Sequence, residues 1–142
     1  MFKLKYHIGD VFEIDFPHGI GSVQGGKRPA IIFQNNLGNW HSPNLVVIPL
    51  TSKIKKTNQV THVILDKNLG LPQTSMALCE NVTTVSKSSV GQYLTSLPYD
   101  VMKKITKANL LATAGVAFLQ PQDLKSIIYQ AQKINSATCC SA

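Results

Sequence analysis

A chain of 142 residues with 14 lysines and arginines against 7 acidic side chains, a formal charge of +7, is long enough for one buried core and too basic to favour cationic partners. Hydrophobic residues make up 44% of it and charged ones only 15%, which excludes a disordered polyelectrolyte and leaves a folded domain whose surplus charge favours nucleic acid or an acidic protein. The three cysteines, Cys79 and the adjacent Cys139 and Cys140, are too sparse for a disulfide framework or a zinc site. No apolar run reaches membrane-spanning length, so the expectation is a cytoplasmic protein with no metal, no cofactor and no membrane partner.

Val11 to Phe16 alternates, with Phe12, Ile14 and Phe16 on one face and Val11, Glu13 and Asp15 on the other, the pattern of a half-buried strand. Pro17 to Lys27 carries Gly19, Gly21, Gly25 and Gly26 with little apolar periodicity and predicts a surface loop. Pro29 to Gln34 and Leu45 to Leu50 are rich in isoleucine and valine, are separated by a polar segment with Gly38 and Pro43, and read as buried strands. Val60 to Leu65 and Ser75 to Cys79 add two more, and Val82 to Val85 and Gln92 to Leu97 are weaker candidates. Short strands at such close spacing favour a small barrel or a curled sheet.

From Pro98 the period changes. Val101, Ile105, Ala108 and Ala112 share one helical stripe, with Pro98 at the start and Gly115 just past the end. Pro121 opens a second amphipathic stretch, Leu124, Ile127, Ile128, Ala131 and Ile134, long enough for about 3 to 4 helical turns docked on the barrel or on a partner. Asn135 to Ala142 lacks periodicity and predicts a disordered tail.

Two segments could carry chemistry. Gly21-Ser22-Val23-Gln24-Gly25-Gly26-Lys27-Arg28-Pro29 joins a glycine-rich loop to two basic residues at the mouth of a strand. Glycines let backbone amides approach an anion, and a guanidinium offers a planar fork matching two phosphate oxygens. The glycine spacing fits neither a Walker loop nor a dinucleotide fingerprint, and a plain surface loop is the competing reading. In Pro49-Leu50-Thr51-Ser52-Lys53-Ile54-Lys55-Lys56 an apolar strand stops at two hydroxyls and then three lysines, which would hold a nucleic-acid backbone without reading its sequence. Here the competing readings are a self-bonded turn and a solvated charged face.

Taken together, Gly9-Asp10-Val11, the glycine-rich segment ending in Arg28-Pro29, Gln34-Asn35, Pro49-Leu50-Thr51-Ser52, Thr61-His62-Val63 and Ala77-Leu78-Cys79-Glu80 resemble the ordered landmarks of the MazF/PemK toxin family. The resemblance runs to the helix ending near Ala114. It implies a mainly β fold with C-terminal helices, a small SH3-like barrel, over residues 1–115. Residues 116–134, an additional amphipathic helix, and the tail 135–142 fall outside it.

It further implies a homodimer, a cognate antitoxin partner, and metal-independent, sequence-selective cleavage of single-stranded RNA. The family's catalytic pair falls on Arg28 and Thr51. Ser22 holds the place of a loop residue that contacts RNA near the scissile bond, and Gln24, Gly25, Gly26, Lys27, Ser52, Lys53, Lys55 and Glu80 complete the expected substrate-binding set. Two departures stand out. Val23 replaces a frequent loop glutamate, and Asn81-Val82-Thr83-Thr84 lacks an arginine often found there. The sequence shows no general base, because His7, His18, His41 and His62 form no pair by spacing, although His18 lies in the loop. Trp40 and Tyr93 are candidates for stacking on bases. The rival readings are a non-catalytic nucleic-acid-binding barrel and a toxin of this fold that grips a protein.

Overall fold

The computed structural model describes residues 3–17, 25–55 and 58–137. Seven strands form the body: β1 (Asp10–Phe16), β2 (Gly26–Ile32), β3 (Asn44–Thr51), β4 (His62–Leu65), β5 (Ser75–Leu78), β6 (Thr83–Ser86) and β7 (Val90–Ser96). They are antiparallel in the order β4-β5-β3-β2-β1-β7, with β6 also pairing β3. The expected mainly β architecture holds. The barrel is a loose one, because β4 and β7 are the two ends of an open path and are not paired with each other.

Alternation on β1 explains how the sheet buries both faces. Val11 is fully buried in a core with Ile31, Ile48, Leu50, Ala77 and Cys79, while Phe12, Ile14 and Phe16 enter a second core with Ala30, Ile32, Leu45 and Val47. At about 1.5–3 kcal/mol for each large apolar side chain buried, these two clusters dominate the stability of the fold.

The stripe read after Pro98 forms α2 (Tyr99–Ala112), preceded by an N-cap at Pro98. Ile105 and Ala108 are buried in the first core with Val101 and Met102 packed against it, so α2 lies across that face of the sheet. Asn109 anchors it, donating its side-chain amide to the Cys79 carbonyl at 3.0 Å. A short helix between β2 and β3, designated α1 (Asn36–His41), has no apolar stripe and is absent from the periodicity. Local polar bonds make it: the Asn35 side chain accepts from the Gly38 amide at 2.8 Å, and buried Asn39 donates to the Gln34 carbonyl at 2.9 Å.

The last helix, α3 (Pro121–Ala137), follows a 3-10 turn at Ala114–Phe118. It extends three residues past Ile134 into the stretch expected to be disordered, and the rest of that tail lies outside the described residues. Its C-terminal end meets α1, where the Asn36 amide donates to Asn135 Oδ1 at 2.9 Å. Its apolar stripe is only partly covered, since Leu124 and Ile134 are half-buried whereas Ile127 and Ile128 are exposed.

Candidate active site

The site forms where two paired strands part. β2 and β3 are in register at Ile32↔Val47, Ile31↔Ile48 and Ala30↔Pro49, and the pairing ends there. Pro29 and Pro49 sit at that end, and a proline has no N–H to give to a ladder. Beyond it β2 continues on β1 as far as Gly26↔Phe16, while β3 turns to β5 through Leu50↔Ala77 and Thr51↔Met76. Extending the β2–β3 register by two residues sets Arg28 across from Thr51. The two residues expected to be catalytic therefore lie just past the last paired position, one on each strand, and both line the cleft that opens there.

A cavity of about 370 Å3 fills this cleft. Lys27, Arg28, Thr51, Ser52 and Lys53 line it, so five of the expected residues come together. Pro72, Gln73 and Ser75 form the wall on the β5 side, and Glu13 of β1 closes the other. Among the described residues that line it, three cations against a single carboxylate make the cleft attractive to phosphate. Thr51 Oγ1 accepts the Lys53 amide at 3.1 Å, which ties the turn and leaves the hydroxyl hydrogen free to donate. That is the self-bonded turn foreseen as the alternative reading, and the two roles are compatible.

Other expected residues do not line this cavity. Gly25 and Gly26 precede it, and Gly26, with φ of +104° at the first position of β2, has a backbone shape that side chains rarely adopt. Lys55 lies further along the turn. Glu80 instead pairs with His62, Oε1 to Nε2 at 2.9 Å, across the end of β4 and β5. Ser22 and Gln24, with Val23 and His18, fall outside the described residues. Trp40 is half-buried in α1, and Tyr93 is bonded to Ser96 through its hydroxyl at 2.7 Å and edge-on to Phe12. Neither lines the cleft.

Glu13 is the residue the sequence reading missed. Alternation placed it on the face with Val11 and Asp15 but could not tell a cleft wall from open solvent; the register Glu13↔Pro29 does. A second cavity, about 540 Å3, opens beside Asp15, Phe16, Pro17 and β6 and contains none of the expected residues.

An open, antiparallel curled sheet with a basic, hydroxyl-bearing cleft defines a small β domain suited to holding a polyanion. Residues 7–111 match the family described as PemK-like, MazF-like toxin of type II toxin-antitoxin system, and the chain belongs to that family. It is 35% identical over 111 residues to Endoribonuclease EndoA of Bacillus subtilis, covering 78% of this chain and 96% of that protein. To Endoribonuclease MazF of Staphylococcus saprophyticus it is 38% identical over 101 residues, covering 70% and 84%. Among solved structures it resembles a mycobacterial endoribonuclease in complex with its cognate antitoxin, with a TM-score of 0.62, 25% identity, and 81% and 98% of the two chains covered. No helix among the described residues is long and apolar enough to cross a membrane.

Proposed function

We propose that this chain is the toxin of a toxin–antitoxin pair, an endoribonuclease that cuts single-stranded RNA in the cytoplasm. The observation that carries the reading is the convergence of Arg28 and Thr51 with Ser52 and two lysines on one cavity at the parting of β2 and β3. Family membership and the endoribonuclease relatives supply the reaction class.

The chemistry follows from what such a cleft offers. The 2'-hydroxyl of the RNA attacks the adjacent phosphorus in line with the departing 5'-oxygen, leaving a cyclic phosphate on one product and a 5'-hydroxyl on the other. The Arg28 guanidinium stabilises charge growing on the non-bridging oxygens, and the Thr51 hydroxyl fixes one of them by a hydrogen bond. Ser52, Lys27 and Lys53 hold the phosphates on either side. In this reading the reaction needs no metal, residues 1–115 are the catalytic unit, the protein is a homodimer, and its antitoxin covers the RNA groove.

The test is incubation of the purified protein with a long single-stranded RNA in excess chelator, beside Arg28→Ala, with end mapping and assay for a cyclic phosphate. Discrete cuts by wild type alone support the reading. RNA bound but left whole favours a binding barrel, growth arrest with RNA intact favours a protein-gripping toxin, and equal cutting by both proteins removes Arg28 from the mechanism.

A further inference from the structure

Transesterification requires an acceptor for the 2'-hydroxyl proton, and neither member of the Arg28 and Thr51 pair is suited to the task. A guanidinium has no acceptor site, and Thr51 Oγ1 already accepts from Lys53. We infer that Glu13 is the general base of this site, taking the proton of the attacking 2'-hydroxyl on its carboxylate. The inference rests on the endoribonuclease reading above and adds a catalytic residue to it.

Among the described residues Glu13 is the one carboxylate that lines the cavity, and it is half-buried. Its strand is held rigidly, because Phe12 is 4% exposed and Ile14 fully buried on either side of it. In the β1–β2 register it stands opposite Pro29 and diagonal to Lys27, on the face opposite to that of Arg28. Both residues nonetheless line the cavity that opens where β2 and β3 part. A carboxylate beside a phosphodiester is repelled by it unless cations intervene, and Lys27, Arg28 and Lys53 all line the same space. No other Asp, Glu or His among the described residues lines the cavity; His62 is bonded to Glu80, and Asp15 borders the second cavity.

In the step itself the 2'-oxygen forms its bond to phosphorus as its proton passes to Glu13. The bond from phosphorus to the 5'-oxygen breaks, and the 5'-oxygen leaves with that electron pair and takes a proton from water. Glu13 then returns its proton to water, and no proton is consumed overall.

Wild type and Glu13→Gln are to be compared in single-turnover cleavage of a short RNA from about pH 3 to about pH 8, a range that spans ordinary carboxylate titration, and in binding to the same RNA with 2'-deoxyribose at the attacking position. The expected result is a rate about 100- to 10,000-fold lower in the variant, with loss of the limb along which the wild-type rate rises with pH. The deoxy RNA should bind the variant at least as tightly as wild type, since a negative charge beside the phosphates has been removed. Glu13→Asp should keep the rising limb at a reduced rate.

Cleavage by Glu13→Gln within about threefold of wild type, or a rising limb that survives in it, overturns the assignment and leaves the endoribonuclease reading standing. A wild-type protein that binds RNA and never cuts it overturns that reading itself. Should the glutamine variant lose its cooperative thermal melt, Glu13→Asp decides: a retained limb supports the base, and a vanished one overturns it.

Discussion

His62 Nε2 lies 2.9 Å from Glu80 Oε1, with the imidazole 8% exposed and the carboxylate 35% exposed. The contact crosses from β4 to the turn after β5, and His62 Nδ1 on the other side of the ring is buried with no hydrogen-bond partner. Glu80 therefore satisfies the one polar atom of that ring that is bonded. Glu80→Ala should lower the unfolding free energy by about 1–2 kcal/mol, the cost of leaving a buried donor unmet, discounted because the carboxylate is partly solvated. Urea denaturation measures it, and an unchanged midpoint would show Glu80 to be a solvated strand-end residue.

What the sequence revealed and what it hid divide along physical lines. The two cores were visible in Phe12, Ile14 and Phe16 and in the runs through Ile31 and Ile48, because burial on a strand or a helix imposes a period. Helix α1 was hidden because its cause is polar: Asn35 caps it and Asn39 holds it from within, leaving no periodic signal. β2 starts at Gly26, earlier than its apolar run, because pairing with Phe16 and not propensity sets that end. Arg28 and Thr51 were legible through family landmarks, whereas Glu13 was not. Its meaning depends on Pro29 standing opposite, and the pairing of Glu80 with His62 was hidden for the same reason, the two being 18 residues apart.

Arg28→Ala should reduce kcat by about 100- to 1,000-fold, or roughly 2.7–4 kcal/mol, the usual effect of removing one donor aimed at developing charge. Thr51→Val should also slow cutting, and Thr51→Ser, which keeps the hydroxyl, should recover most of the loss. Single-turnover kinetics separates these effects from binding. Full activity in Thr51→Val would confine that residue to tying the turn through the Lys53 amide.

Lys27 and Lys53 line the cleft and should act on affinity without altering which sequence is cut. For single-stranded RNA each phosphate contact contributes about 0.7 to the slope of log affinity against log salt, so Lys53→Ala should flatten that slope by about 0.7. Binding of a non-cleavable RNA between low and moderate salt provides the measurement. A slope equal to that of wild type would place Lys53 outside the RNA path.

Gly70 closes a 3-10 turn at Lys67–Leu69 with φ of +103°, and a Cβ there would fall 2.6 Å from Thr95 Oγ1. That hydroxyl is engaged, donating to the Leu69 carbonyl at 2.7 Å, so it cannot swing aside without losing its bond. Gly70→Ala combines strained backbone with a clash and should cost about 1–3 kcal/mol. Thermal unfolding would show it. Gly70→Ala beside Thr95→Ala should recover only part of the loss, because the clash with Oγ1 disappears while the 2.8 Å approach to the Thr95 Cβ and the backbone strain remain.

Cys79 is fully buried under α2, and its thiol pKa is pushed up to about 12 by that burial, with the nearby Glu80 carboxylate adding to the rise. The folded state thus keeps a proton that the unfolded chain releases near its ordinary value of 9.0. Stability from this group is complete below that value and is lost as pH climbs toward about 12, at up to about 1.4 kcal/mol per pH unit. Relative to Cys79→Ala, the wild-type protein should therefore show an additional fall in unfolding free energy above about pH 9, read by urea denaturation at successive pH values. In a Cys139→Ser, Cys140→Ser background, Cys79 should also resist alkylation at mildly alkaline pH until urea unfolds the chain. Rapid labelling of the folded protein would mean that α2 lifts from the sheet far more often than its packing through Ile105 and Ala108 allows.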